Sequence, residues 1–255
     1  MTYCNIFDSH AHYDDSAFDD DRYELLDNLF DNGVVGFIDC GSDLSSSVKA
    51  LEIAGRYSNA YAAVGIHPHE SEKAAEDDFK KIEQMLSAEK CAAVGEIGLD
   101  YHYDFSPRDK QIEVFEYQLQ LAIKHDLPVI IHDREAHGDT LELLKKYKPK
   151  GVVHCFSGSV EMAKDIISLG MYIGLGGAVT FKNAKKPVQV AEMVPDDRLL
   201  IETDCPYMTP VPFRGKRNDS SYIPHTAEML ASVRGTTAQE ILDLTFKNAQ
   251  TLFNI

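Results

Sequence analysis

Short apolar runs recur along the chain, and stretches of helical periodicity separate them. The runs fall near residues 5–9, 34–40, 60–66, 91–98, 127–132, 151–155, 171–175 and 198–203. They are continuous in apolarity, as in parallel strands buried on both faces. Between them, DDDRYELLDNLFDNG places Tyr23, Leu26, Leu29 and Phe30 on one face and stops at Gly33. The segment PRDKQIEVFEYQLQLAIKHDLP opens on Pro107, keeps Ile112, Phe115, Leu119 and Ala122 at helical spacing, and closes at Leu127-Pro128. The same pattern predicts helices over about 44–57, 73–88, 135–147, 159–169 and 184–193. A strand and its helix take about 30 residues. Eight such units predict an α/β fold of the (β/α)8 TIM-barrel type, with extra C-terminal helices at 222–233 and 237–252. An open doubly wound sheet is the alternative, but neither GxGxxG nor a P-loop supports it.

The chain's 255 residues match the roughly 250 of one such barrel, so a single domain over 1–255 is expected. No run approaches the ~18 apolar residues of a membrane span. The N-terminal MTYCNIFDSHAH has no basic region followed by an apolar one, so a secretory leader is not expected. The five cysteines are odd in number and lack CxxC spacing; Cys155 and Cys205 should alternate away from the barrel axis as small core residues. A reducing cytoplasm fits that usage.

Polar residues interrupt the pattern where the runs end. His10, His12, Glu96, His132, His154 and Asp204 close NIFDSHAH, CAAVGEIGLD, PVIIHDR, GVVHC and LLIETDC. Barrel enzymes place their chemistry at these C-terminal strand ends. The HxH pair would present both imidazoles on one side of a strand. A carboxylate emerging from an apolar strand, as Glu96 does, is costly to bury unless it meets a cation. Four imidazoles and two carboxylates together predict a nitrogen/oxygen metal centre, binuclear and hydrolytic. Glu202 shares the facing of Asp204 and is separated from it only by position at the strand end.

The net charge of −16 argues against a broad basic surface for nucleic acid, though not against action on a strand end. The acidic residues from Asp14 to Asp21 are expected to form the first turn of a helix. Residues 206–220 (PYMTPVPFRGKRNDS) read as a long functional loop.

The motifs HAHYDD, GIHPHE, VGEIGLDY, PVIIHDREA, HCFSGS and ETDCPYMTPVPFRGKRN resemble the TatD family of metal-dependent deoxyribonucleases, within the amidohydrolase-like barrel superfamily. The resemblance runs from about residue 6 to residue 253. One departure is visible: the family usually continues RGKRNEP, and this chain reads RGKRNDSS. The resemblance implies that His10, His12, Glu96 and Asp204 hold one divalent ion and that Glu96, His132 and His154 hold a second. It favours Mg2+ in function, with Zn2+ or Mn2+ also compatible with the ligand types. It further implies water attack on a DNA phosphodiester, exonucleolytic on single strands, with Asp204 as general base.

Substrate contacts are expected from His67, Arg134, Arg214 and Asn218, the last two alternatively as loop anchors; Lys216 and Arg217 read as solvated loop. Tyr101 or Phe156 could stack on a base, Phe156 more simply as packing, and His69 reads as a surface or capping residue. The competing functions are a small-molecule or aminoacyl-ester hydrolase on the same centre and, more remotely, a metal-dependent binding protein.

Overall fold

In the computed structural model, which describes residues 3–255, eight parallel strands pair in chain order. They are β1 (Ile6–Ala11), β2 (Val34–Cys40), β3 (Ala60–Val64), β4 (Cys91–Asp100), β5 (Val129–Arg134), β6 (Gly151–Val153), β7 (Tyr172–Leu175) and β8 (Leu199–Ile201). The alternating helices are α1 (Arg22–Asp31), α2 (Leu44–Ala54), α3 (Glu76–Met85), α4 (Arg108–Lys124), α5 (His137–Tyr147), α6 (Val160–Ser168) and α7 (Lys185–Met193). Helices α8 (Ile223–Arg234) and α9 (Ala238–Phe253) follow the barrel. Ala11 bridges Cys205 in parallel, the His12 amide donates to Cys205 O (2.9 Å), and the Asp204 amide donates to His10 O (3.0 Å). These bonds close the sheet, and the expected barrel is observed. No helix among the described residues is long and apolar enough to cross a membrane.

Two buried apolar layers follow from strand alternation. Phe37, Ala62, Val94, Ile131 and Ile173 pack outward against the helices. Ile38, Ala63, Ala93, Ile130, Val152 and Leu200 fill the barrel interior together with Ala249 and Phe253 of α9. Continuing the inward positions by two residues brings His132, His154 and Glu202 to the catalytic end of the interior. Gly174 leaves the room this requires, since a Cβ there would lie 2.6 Å from a Glu202 carboxylate oxygen.

Strict alternation does not account for Glu96. Ala93 faces in and Val94 faces out, so Glu96 would face out as well. The register breaks between Val94 and Ile97, and a break of that kind re-aims the side chains beyond it. The break between Asp8 and Ala11 in β1 does the same for His10.

Two local expectations are corrected. The acidic run precedes α1 rather than forming its first turn: Asp15 accepts from the Ala17 amide (2.7 Å), Asp19 pairs with Arg22 and Lys49, and Asp21 pairs with Arg217. Strand alternation also does not govern Cys155, because β6 ends at Val153 and Cys155 adopts a left-handed φ of 42°. Cys205 is fully buried, as expected of a core residue.

Candidate metal centre

Glu96 stands at the middle of a ring of imidazoles. Its Oε2 lies 3.7 Å from His10 Nε2 and 3.5 Å from His12 Nε2. Its Oε1 lies 2.7 Å from His154 Nε2, 2.9 Å from His132 Nδ1 and 3.7 Å from His67 Nε2. Asp204 joins from the β8 side, with Oδ1 3.6 Å from His10 Nε2 and 3.5 Å from His12 Nε2. Thus the six strand-end residues expected from the sequence are brought together. Three overlapping triads (His10, His12 and Glu96; His10, His154 and Asp204; His67, Glu96 and His132) each bring ligand atoms within 4.8 Å of one another.

The backbone positions these groups. The Glu96 amide donates to Gly41 O (2.9 Å). His12 Nδ1 donates to Cys40 O (2.7 Å), which turns Nε2 toward the centre. Asp8 ties β1 to the segment carrying Asp204: it accepts from the Thr203 amide (2.9 Å), the Thr203 hydroxyl (2.6 Å) and the Ser220 hydroxyl (2.7 Å). Burial raises the Asp8 carboxyl to about 7, with the Thr203 and Ser220 bonds acting against it. Ser220 belongs to the segment that departs from the family pattern. Its hydroxyl takes part in this brace, and Asp219 caps the turn that follows by accepting from the Ser221 amide (2.9 Å).

The donor set fits divalent cations. His10 Nε2 and His12 Nε2 face each other at 3.0 Å, and the His10 and His154 rings stack at 3.8 Å. His10 Nδ1, His154 Nδ1 and Glu202 Oε2 are buried without a hydrogen-bond partner. Burial would raise the Glu96 carboxyl, but His154, His67, His10 and His132 outweigh it and hold Glu96 well below the usual range. Burial pushes His10 and His67 down toward the neutral form. It also opposes charge on His12, His132 and His154, yet the carboxylates prevail: Asp204 and Glu96 lift His12 to about 10, Asp100 and Glu96 raise His132, and Glu96 and Glu202 raise His154. Coordination needs neutral imidazoles, so loading this centre would release the protons that the carboxylates favour on His12, His132 and His154.

Several residues sit otherwise than expected. Asn218 is fully buried and spends its polar atoms inward, donating to Thr203 O (2.9 Å) and Tyr207 O (2.6 Å) and accepting from the Asp219 amide (3.1 Å). Of the two roles expected for Asn218, these bonds are those of the loop anchor. Phe156 is buried packing. Tyr101 is half-buried and donates its hydroxyl to Asp139 (2.6 Å), with Arg108 over its ring (4.2 Å). His69 is no simple surface residue, since its Nε2 donates to Asp100 Oδ2 (2.9 Å). Arg134 is exposed over the Tyr103 ring (4.7 Å). Arg214 is exposed over Phe181 (4.0 Å) and donates to Thr209 O (3.1 Å). Arg217 is taken by Asp21.

Asp100 was not singled out from the sequence. It is fully buried and accepts from His132 Nε2 (3.1 Å) as well as from His69. Burial would raise its carboxyl, but the bonds from His132 and His69 hold it far below its ordinary value. Its signal was present, since Asp100 lies four residues beyond Glu96 on the same strand. Glu202 is likewise buried and accepts from the Cys155 amide behind His154.

The model for the TatD related DNase family matches residues 7–254. The chain belongs to the TatD family. That family is one of metal-dependent hydrolases. An uncharacterised metal-dependent hydrolase of Bacillus subtilis, YabD, is 43% identical over 98% of this chain and 99% of its own length. The TatD 3'-5' ssDNA/RNA exonuclease of Salmonella typhimurium is 33% identical over 98% of this chain and 99% of its own. The crystal structure of a TatD homologue from Escherichia coli K12 superposes with a TM-score of 0.93 at 34% identity, covering 99% of each chain.

Proposed function

We propose that this TatD-family chain is a two-ion phosphodiesterase that hydrolyses single-stranded DNA from an end. The observation that carries this reading is the division of the Glu96 carboxylate between two groups of imidazoles. One oxygen faces His10 and His12, with Asp204 beside them; the other faces His132 and His154. Two ions would fit these residues, with His10, His12, Glu96 and Asp204 holding one and Glu96, His132 and His154 holding the other. When bound, a pair of divalent ions supplies a more acidic water and neutralises charge on a phosphoryl oxygen. Mg2+ is the working ion in this reading, and Zn2+ or Mn2+ suits the same donors.

The chain's own residues complete the chemistry. Asp204 is the most open carboxylate of the set, its side chain 18% exposed against 5% for Glu96. It can reach a water proton from the mouth and acts as general base. His67 Nδ1 accepts from the His69 amide (3.2 Å), so Nε2 carries the hydrogen and serves a substrate oxygen better than an ion. Arg134 and Arg214, both exposed, would contact phosphate. DNA as substrate is supported by the exonuclease of Salmonella typhimurium, which is alike over almost its full length.

A substrate panel on metal-reconstituted protein tests this: 3′- and 5′-labelled single-stranded DNA, duplex DNA, RNA and aminoacyl esters, each with and without EDTA. Shortening of single-stranded DNA that EDTA stops, and that a His132→Ala/His154→Ala variant lacks, is the expected result. The charge of −16 favours a small ester over a polyanion, so hydrolysis of the esters alone would replace the nuclease reading with that one.

A further inference from the structure

Tyr103 and Phe105 are the feature of the catalytic face that the metal centre does not use. Both lie on the loop between β4 and α4, at 46% and 63% exposure, with rings 5.2 Å apart and planes inclined by 20°. His69 meets both edge-on, at 5.4 Å from Tyr103 and 4.8 Å from Phe105. Arg134 lies 4.7 Å over the Tyr103 ring. Asp100 accepts from His69 on one side and from His132 on the other, so the aromatic pair is tied to a candidate ligand through two hydrogen bonds. The other exposed aromatics have partners of their own: Tyr23 carries Arg56 (3.9 Å), Tyr117 packs on Phe79 (4.9 Å), and Tyr207 donates its hydroxyl to Asp15 (2.9 Å).

We propose that Tyr103 and Phe105 form a stacking platform for the terminal nucleobase of the strand whose phosphodiester is cleaved, with Arg134 between platform and phosphate. This rests on the phosphodiesterase reading above. Charge favours the assignment. A net charge of −16 argues against a broad basic surface that tracks phosphates, whereas stacking on aromatic rings is indifferent to that charge and tolerant of sequence. Arg134 supplies the local cation; it points from β5 toward the platform and, among the described residues, has no carboxylate within ion-pair distance.

The test uses Mn2+-loaded protein and a fluorescein-labelled four-nucleotide deoxyadenylate with phosphorothioate linkages, compared with the same oligonucleotide lacking its 3′-terminal or its 5′-terminal base. Loss of one terminal base should weaken binding by about tenfold or more. The Tyr103→Ala/Phe105→Ala variant should bind intact and abasic forms alike, and Tyr103→Phe/Phe105→Tyr should restore the difference. A wild-type protein indifferent to both terminal bases overturns the proposal, as does an alanine variant that still discriminates. Cleavage of the unmodified oligonucleotide is read separately. Base-dependent binding without cleavage keeps the platform and removes the phosphodiesterase reading; cleavage without base dependence does the reverse.

Discussion

Glu96 is the residue on which the others converge, and Asp204 is the one whose two roles can be separated. Both hold cations in the proposed scheme, but only Asp204 reaches the mouth of the site. Asparagine retains one ligating oxygen and loses the basic one. Asp204→Asn should therefore lower turnover about 100-fold or more, the range of general-base catalysis, while metal content changes little. Turnover at the wild-type level, measured beside metal content, would remove the assigned role.

Six of the polar residues at this centre were legible because each interrupts an apolar run. Asp100 and Glu202 stand in the same runs; Asp100 is not singled out there, and Glu202 is distinguished from Asp204 only by its position at the strand end. They act behind the imidazoles, and nothing in a lone carboxylate distinguishes a group that orients a ligand from one that binds an ion. For Asn218 the sequence left substrate contact and loop anchor both open, because the inward bonds to Thr203 and Tyr207 that choose between them are tertiary.

The strands and helices follow the hydrophobic periodicity closely, because strands buried on both faces and amphipathic helices leave strong signals. What periodicity misses is register. His10 and Glu96 face the interior because β1 and β4 break step with their neighbours, and the breaks depend on partner strands. Gly98 belongs to this device. It sits beside His132 with φ at +146°, where a Cβ would fall 1.9 Å from His132 O. Gly98→Ala should destabilise the fold by about 3 kcal/mol or more, combining backbone strain with overpacking, and should lower the midpoint of thermal unfolding. An unchanged midpoint would mean that β4 and β5 can separate without cost.

At the scale of the molecule, a barrel gathers the six side chains from five segments, distant in sequence, at one end. The net charge of −16 repels polyanions and attracts cations. Affinity for a nucleic acid must then arise at the centre itself. Everything proposed for the reaction depends on that centre holding two ions around Glu96. Counting Mn2+ bound to the metal-free chain by equilibrium titration tests this directly. Two ions per chain are expected in the wild type, and one in the His132→Ala/His154→Ala variant with its fold intact. A single ion in the wild type, or two still bound by the folded variant, would contradict the account.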